Sequence, residues 1–261
     1  MISPTARAVL SLTAVCGAAI LHGCAPPTSV PAAGQVVDDD RFLILETLPP
    51  GEAIAGEDLY PFESGQRVLL RLDDAAAGEE IVFSGRPTDE HDAAFAVALG
   101  EARTEFRARN EADDIIMPAT IDHDENALTR FDPPLLIAPK TLEPGTPVEA
   151  ESEMVVVDAR NPDQQRERGT AKRTIEYIDD QRIRTPLGEF RAQRIVVHFT
   201  ADLRLADAEN TTTCWLAPDL GIIARLREEE VRILGLISTR KRSVSVLIGT
   251  PQQQDSNEDT D

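Results

Sequence analysis

Cysteine is scarce in this 261-residue chain, occurring only at positions 16, 24 and 214. No two of them form the C-x-x-C spacing that metal and dithiol redox sites need. Basic charge is short as well. The chain has 26 Lys and Arg against 46 Asp and Glu, a formal charge of −20. A balance so acidic repels nucleic acid, whose recognition depends on clustered cations. Short basic groups do occur at Arg166, Arg168, Lys172 and Arg173, and at Arg240, Lys241 and Arg242. Each lies among acidic residues and is expected on a solvated strand face.

Long apolar runs are missing too. The run over residues 8–21 falls short of the about 20 residues that cross a bilayer as a helix. The motifs of common chemistry are absent: no G-x-S-x-G elbow, no G-x-x-x-x-G-K-[ST] phosphate loop and no H-E-x-x-H. His91, His123 and His198 are widely spaced and lie in no motif. A catalytic residue, a metal site and a cofactor therefore have no support from the sequence, and the expectation is a chain that is not an enzyme.

What is present begins at the front. Residues 1–24 carry Arg7, then the Ala-, Val- and Leu-rich run, then Leu21-His22-Gly23-Cys24. This order of zones is that of a cleaved export signal. The last four residues resemble the lipobox of bacterial lipoproteins, with an apolar residue three places before the cysteine and a small residue directly before it. The resemblance implies lipid on the Cys24 thiol and cleavage between Gly23 and Cys24. It also implies a mature chain held at the cell envelope, at the outer membrane because Ala25 and not aspartate follows the cysteine. His22 departs from the small residue usual there. The alternative is an ordinary signal peptide cut after Ala18 or Gly23.

On that reading residues 1–23 are a signal peptide and 24–40 a Pro/Ala-rich tether containing Pro26, Pro27 and Pro31. Residues 41–249 form the folded body and 250–261 a polar, acidic, disordered tail. Cys16 leaves with the signal and Cys24 takes lipid, so no internal disulfide remains. Cys214 is expected as a small buried side chain.

In the body the dominant period is two. Val148, Ala150, Ser152, Met154 and Val156 alternate with Glu149, Glu151 and Glu153, and Ala171, Arg173, Ile175 and Tyr177 alternate with polar neighbours. Further alternating runs lie within 188–248, which marks antiparallel strands with one dry and one wet face. Turn chemistry separates them at Asn161-Pro162-Asp163, Pro186-Leu187-Gly188 and Pro218-Asp219-Leu220-Gly221. If 148–156 and 168–177 pair as a hairpin, the acidic row of the first meets basic residues of the second. Residues 88–109 fit helical spacing through Phe95, Leu99, Ala102 and Phe106, yet they also alternate, and strands are favoured. The Pro-rich stretch 132–147 is the place for a division into two lobes.

Two turns carry a second resemblance. Thr185-Pro186-Leu187-Gly188-Glu189-Phe190 and Trp215-Leu216-Ala217-Pro218-Asp219-Leu220-Gly221-Ile222 resemble a pattern in uncharacterised secreted β-sheet domains. In outline those are similar to half-barrel lipoprotein carriers of the LolA and LolB type. The fold class expected is mainly β, a curved antiparallel sheet or half-barrel with at most one or two short helices.

Asp122, Asp124 and Asn126 match the first ligands of a calcium loop, but Ala127 and Pro133 stand where its glycine and bidentate glutamate belong. The segment is expected as a polar hairpin tip. Trp215, the only tryptophan, is expected in the core. The function expected is a membrane-anchored, non-catalytic binding or scaffold module of the cell envelope, with an envelope protein or lipid as partner. The alternative is a carrier of lipid or lipoprotein, which requires a concave apolar cavity.

Overall fold

The computed structural model describes residues 36–38, 41–59, 66–71, 80–218, 220–234 and 237–249. The expected signal peptide, the expected cleavage site at Gly23 and Cys24, and the expected tail from 250 lie outside these residues.

Strands dominate. The chain enters through β1 (Val36–Asp38) and β2 (Phe42–Leu48), which pair antiparallel. The last residues assigned to the tether thus include a short strand. Next come β3 (Ile54–Ala55), the four-residue helix α1 (Gly56–Leu59), β4 (Gln66–Arg71) and β5 (Glu80–Pro87). After a 3-10 turn at Glu90–Asp92 follow β6 (Phe95–Leu99), β7 (Arg103–Arg109), β8 (Ile115–Asp122) and β9 (Ala127–Ala138). The second half is built from longer strands: β11 (Val148–Asp158), β12 (Gln165–Thr185), β13 (Gly188–Leu203), β14 (Ala206–Ala217), β15 (Gly221–Ile233) and β16 (Ile237–Gly249), preceded by the two-residue β10 (Thr141–Leu142).

All neighbours in the main sheet run antiparallel, in the order β12-β11-β9-β8-β7-β6-β5-β4-β16-β15-β14-β13, and β13 pairs with β12 again. The sheet closes on itself. The expectation of a mainly β, antiparallel and curved sheet holds, and the half-barrel is corrected to a closed ring. The reason lies in β12. Its first half bonds to β11 on one edge, and β13 bonds along nearly its whole length on the other. Closure of that kind removes sheet edges.

Beyond the bulge between Tyr177 and Asp179, the β12–β13 hairpin extends past the ring and recruits β2 to its free edge. This extension lies over the outer face of the ring. Phe42, Ile44 and Ile183 join Trp215, Ala224, Leu226, Val244 and Val246 in one buried cluster. Phe42 meets Trp215 edge-on at 4.7 Å between centroids. Trp215 Nε1 donates to Gln181 Oε1 at 2.8 Å, so the indole N–H is satisfied although the side chain is buried.

The larger core lies inside the ring, against β8, β9 and β11–β15. Phe131, Met154, Ile175, Tyr177, Ile195 and Val197 are among its members. Ile54, Leu59 and Leu142 join the same core, so β3, α1 and β10 plug one end of the ring. Gly56 permits this close fit: its N–H donates to the Lys140 carbonyl at 3.0 Å, and an added Cβ would stand 2.1 Å from the Pro139 carbonyl oxygen.

The Pro-rich stretch is not a lobe boundary. Pro133 and Pro134 lie inside β9, between the segment that pairs with β8 at 127–130 and the segment that pairs at 135–138. Phe131 and Leu135, on either side, share one core. Proline has no N–H to give a ladder, and here the ladder is interrupted.

Other expectations hold. Residues 95–99 and 103–109 are strands. The three turn sequences connect β11 to β12, β12 to β13, and β14 to β15. Glu151 stands opposite Lys172, with Lys172 Nζ 3.1 Å from its carboxylate, and Glu153 pairs with Arg168. Exposed pairs of this kind contribute about 0.2–1 kcal/mol each.

Candidate functional site

Cross-strand partners share a face of the sheet, so the register carries the inner face from strand to strand. Starting in the core, one row runs Tyr177, Ile195, Cys214, Arg225, Ser245. The next runs Ile175, Val197, Thr212, Arg227, Ser243, and a third Arg173, Phe199, Asn210, Glu229, Lys241. From the other side, Phe83, Leu99, Arg103 and Asp122 form a row, as do Gly85, Val97, Glu105, Thr120, Thr129 and Val156. Phe95 stands opposite Arg107. The inner face therefore carries guanidiniums on β7, β12 and β15.

These groups meet inside. On β7, Glu105 sits between two cations, with Arg107 Nη2 at 2.7 Å and Arg103 Nη2 at 3.1 Å from its carboxylate. Arg103 Nε donates to Thr120 Oγ1 at 3.2 Å, and that hydroxyl donates to the Thr104 carbonyl at 3.0 Å. Burial alone would raise the Glu105 pKa. Arg107, Arg103 and the more distant Arg173 outweigh it and hold the carboxyl down at about 2.

Across the ring, Arg227 Nη2 lies 3.3 Å from the Glu229 carboxylate. With its amide oriented to satisfy both groups, Asn210 accepts from Arg227 at 2.5 and 3.1 Å and donates to Thr212 Oγ1 at 2.8 Å. Burial lowers the Arg227 pKa to about 10, with Arg103 and Arg225 pushing the same way against Glu229. Burial raises Glu229, against the pull of Arg227, Lys241 and Arg103. Arg103 on β7 thus acts on both Arg227 and Glu229 on β15, five strands away around the ring. Arg225 lies with its Cζ 5.8 Å from the centroid of the Phe83 ring on β5.

The inner face is packed unevenly. Ala171, Ile175, Tyr177, Met154 and Ile195 are at most 1% exposed. On the opposite wall, inward-facing Ile81, Phe83, Phe95, Leu99, Arg225 and Ser243 are half-buried, and the Arg227 side chain keeps 23% of its surface. Half-buried inward-facing residues thus gather on β5–β7 and β15–β16, beside the buried Val97, Arg107 and Ser245. Apolar side chains and guanidiniums line that side together. Among the described residues, Ser152 Oγ and Glu229 Oε1 are buried polar atoms with no hydrogen-bond partner.

The basic groups singled out in the sequence divide. Arg168, Lys172, Arg240 and Arg242 are exposed as expected, Lys241 is exposed at the end of an inner-face row, and Arg166 is half-buried with its Nη1 donating to the Glu125 carbonyl at 2.8 Å. Arg173 is a correction: it shares the inner face with Ala171 and Ile175, and its Nη2 donates to the Ile137 carbonyl at 3.4 Å. Arg103, Arg107, Arg225 and Arg227 were not singled out. Their signal was present as Arg225-x-Arg227-x-Glu229-x-Val231-x-Ile233, a single face that turns from charged to apolar.

Cys214 is 1% exposed on this inner face. Burial raises its thiol pKa to about 11, although Arg225 and Arg173 act the other way. The thiolate that would make it a nucleophile is thereby disfavoured. The histidines are not brought together. His91 lies edge-on to Phe106 at 4.4 Å, and burial lowers its pKa. His123 Nε2 is 2.9 Å from Thr104 Oγ1, and His198 Nδ1 is 3.0 Å from Thr211 Oγ1. Asp122 to Asn126 form the β8–β9 hairpin tip, where Asp122 Oδ1 accepts from the Glu125 N–H at 2.9 Å. Trp215 is in the core, as expected.

No family model and no curated protein matches the chain. Two solved structures resemble it distantly. The hypothetical lipoprotein YmcC from Escherichia coli K12 shares 9% identity over 78% of this chain and 89% of its own, with a TM-score of 0.35. A protein from Parabacteroides distasonis, also described as a lipoprotein, shares 12% identity over 74% of this chain and 97% of its own, with a TM-score of 0.33.

Proposed function

We propose that this chain is a non-catalytic binding module of the cell envelope, anchored by lipid on Cys24 and taking its ligand inside the ring. The observation that carries the binding role is the uneven inner face. One wall is a packed core, while the other is lined by guanidiniums beside half-buried apolar side chains. A polar interior in a closed ring has no need of so many buried charges for stability, since buried pairs often contribute little net stabilisation. The anchor rests on Leu21-His22-Gly23-Cys24 and on the Pro-rich residues that follow. Ala25 after the cysteine favours the outer membrane.

The carrier reading needs an open apolar cup. Here the wall of β11, β12 and β13 is packed by the protein's own side chains, and the half-buried apolar side chains of β5 and β6 stand among guanidiniums, so the binding module stands ahead of it. The test is a mass spectrum of the protein gently extracted from its own membranes, beside a Cys24→Ala control. A mass of residues 24–261 plus acyl chains, absent from the control, is the expected result. An unmodified mass in the wild type would overturn the anchor.

A further inference from the structure

Resting on that binding reading, we infer that the half-buried side of the ring binds an amphiphilic anion, its oxyanion on the guanidiniums and its apolar part along β5 and β6. Two features of the inner face point to this ligand class together. The first is the sign of the field. Arg103, Arg173, Arg225 and Arg227 come from β7, β12 and β15 and act on the same interior. Arg107 and Arg103, with the more distant Arg173, outweigh burial and hold the Glu105 carboxyl down at about 2, and Arg103 and Arg225 both press on Arg227. Within a chain whose overall charge is −20, a cationic interior is a local inversion. Guanidinium forks match the geometry of phosphate and carboxylate oxygens.

The second feature is the neighbouring wall. Phe83 and Leu99 face inward directly opposite one another on β5 and β6, and Leu99 stands opposite Arg103 on β7. Both apolar side chains remain half-buried. Arg225 reaches over the Phe83 ring at 5.8 Å, so cation and apolar surface are contiguous. A free inorganic anion would use the guanidiniums and leave that wall wet. A neutral acyl chain would use the wall and leave the field unanswered. An amphiphilic anion answers both. The oxyanion is a phosphate or a carboxylate, and the probes separate the two.

The experiment uses the full chain with Cys24→Ser, which takes no acyl chain, so that a failure of binding is separate from a failure of the anchor. Calorimetric titrations compare decyl phosphate and decanoate, both below their micelle concentrations, with inorganic phosphate and the cationic decyltrimethylammonium. The expected result is saturable one-to-one binding of a decyl anion, at least about tenfold tighter than inorganic phosphate and weakened by added salt. Arg225→Gln is expected to weaken it about tenfold or more. The wild-type comparison does not depend on that variant folding. Binding of the decyl cation as tight as that of the decyl anions would overturn the proposal. So would inorganic phosphate binding as tightly as decyl phosphate, or no saturable binding of either decyl anion.

Discussion

Arg107 Nη2 lies 2.7 Å from Glu105 Oε2 on the inner face of the ring, two residues along the same strand. With Arg103 on the other oxygen, Glu105 is the carboxylate that lets these guanidiniums share one side of the strand. Glu105→Gln leaves the cations without their anion. Removing one partner of a buried pair costs about 3–5 kcal/mol, and denaturant unfolding at pH 7 is expected to show a loss of that order. The pH dependence has a definite sign. The folded pKa is depressed from 4.5 to about 2, so the stabilisation is complete above about pH 4.5 and is lost as pH falls toward 2. The gap between wild type and Glu105→Gln is therefore expected to narrow on acidification through that window.

The seam that closes the ring leaves no room for a side chain at Gly169. It stands opposite Leu203, and a Cβ built there would lie 1.8 Å from the Asp202 carbonyl oxygen. Backbone is the obstacle, so the neighbour cannot rotate away. Gly169→Ala is expected to destabilise the protein by about 1–3 kcal/mol, the usual cost of overpacking. Thermal unfolding of the variant beside wild type measures it. A melting temperature equal to wild type would mean that β12 and β13 do not meet at this register.

Trp215 joins the hairpin extension to the ring through its hydrogen bond to Gln181. Trp215→Phe keeps an aromatic ring near Phe42 but leaves the Gln181 oxygen buried without that donor. A loss of about 1–3 kcal/mol is expected. As the only tryptophan, Trp215 also reports its own environment: emission is expected at short wavelength in the native protein and at long wavelength on unfolding.

Cys214 gives a probe of the interior. With its thiol buried and its pKa raised to about 11, native protein at pH 8 is expected to react with a thiol-specific reagent far more slowly than protein unfolded in guanidinium. Fast native labelling would place the thiol in solvent.

The strands were legible because period two survives in nearly every one of them, and the turns because Pro, Gly and Asp stand at their corners. Closure was not legible. It depends on which edge of β12 meets β13 and which meets β11, and alternation carries no information about edges. The charged interior was hidden for a related reason. On β15, Ala224 and Leu226 alternate with Arg225 and Arg227, and the usual rule turns the apolar residues inward. Here Ala224 and Leu226 face outward, where β2 and the hairpin extension bury them with Phe42 and Ile183. With both faces of β15 covered, polarity no longer tells inside from outside. Arg173 was assigned outward by the same rule, although its own alternation with Ala171 and Ile175 placed it on the dry face.

The convergence of guanidiniums on the inner face is the claim on which the ligand reading turns, and the carboxyl carbon of Glu105 reports on it directly. A carbon-detected NMR titration of selectively labelled protein, with Glu105→Gln for assignment, follows that carboxyl from pH 7 downward. The structure predicts that Glu105 remains ionised through pH 3.5, with its midpoint at about 2 or masked by acid unfolding. A midpoint near the ordinary 4.5 in still-folded protein would contradict a cationic interior.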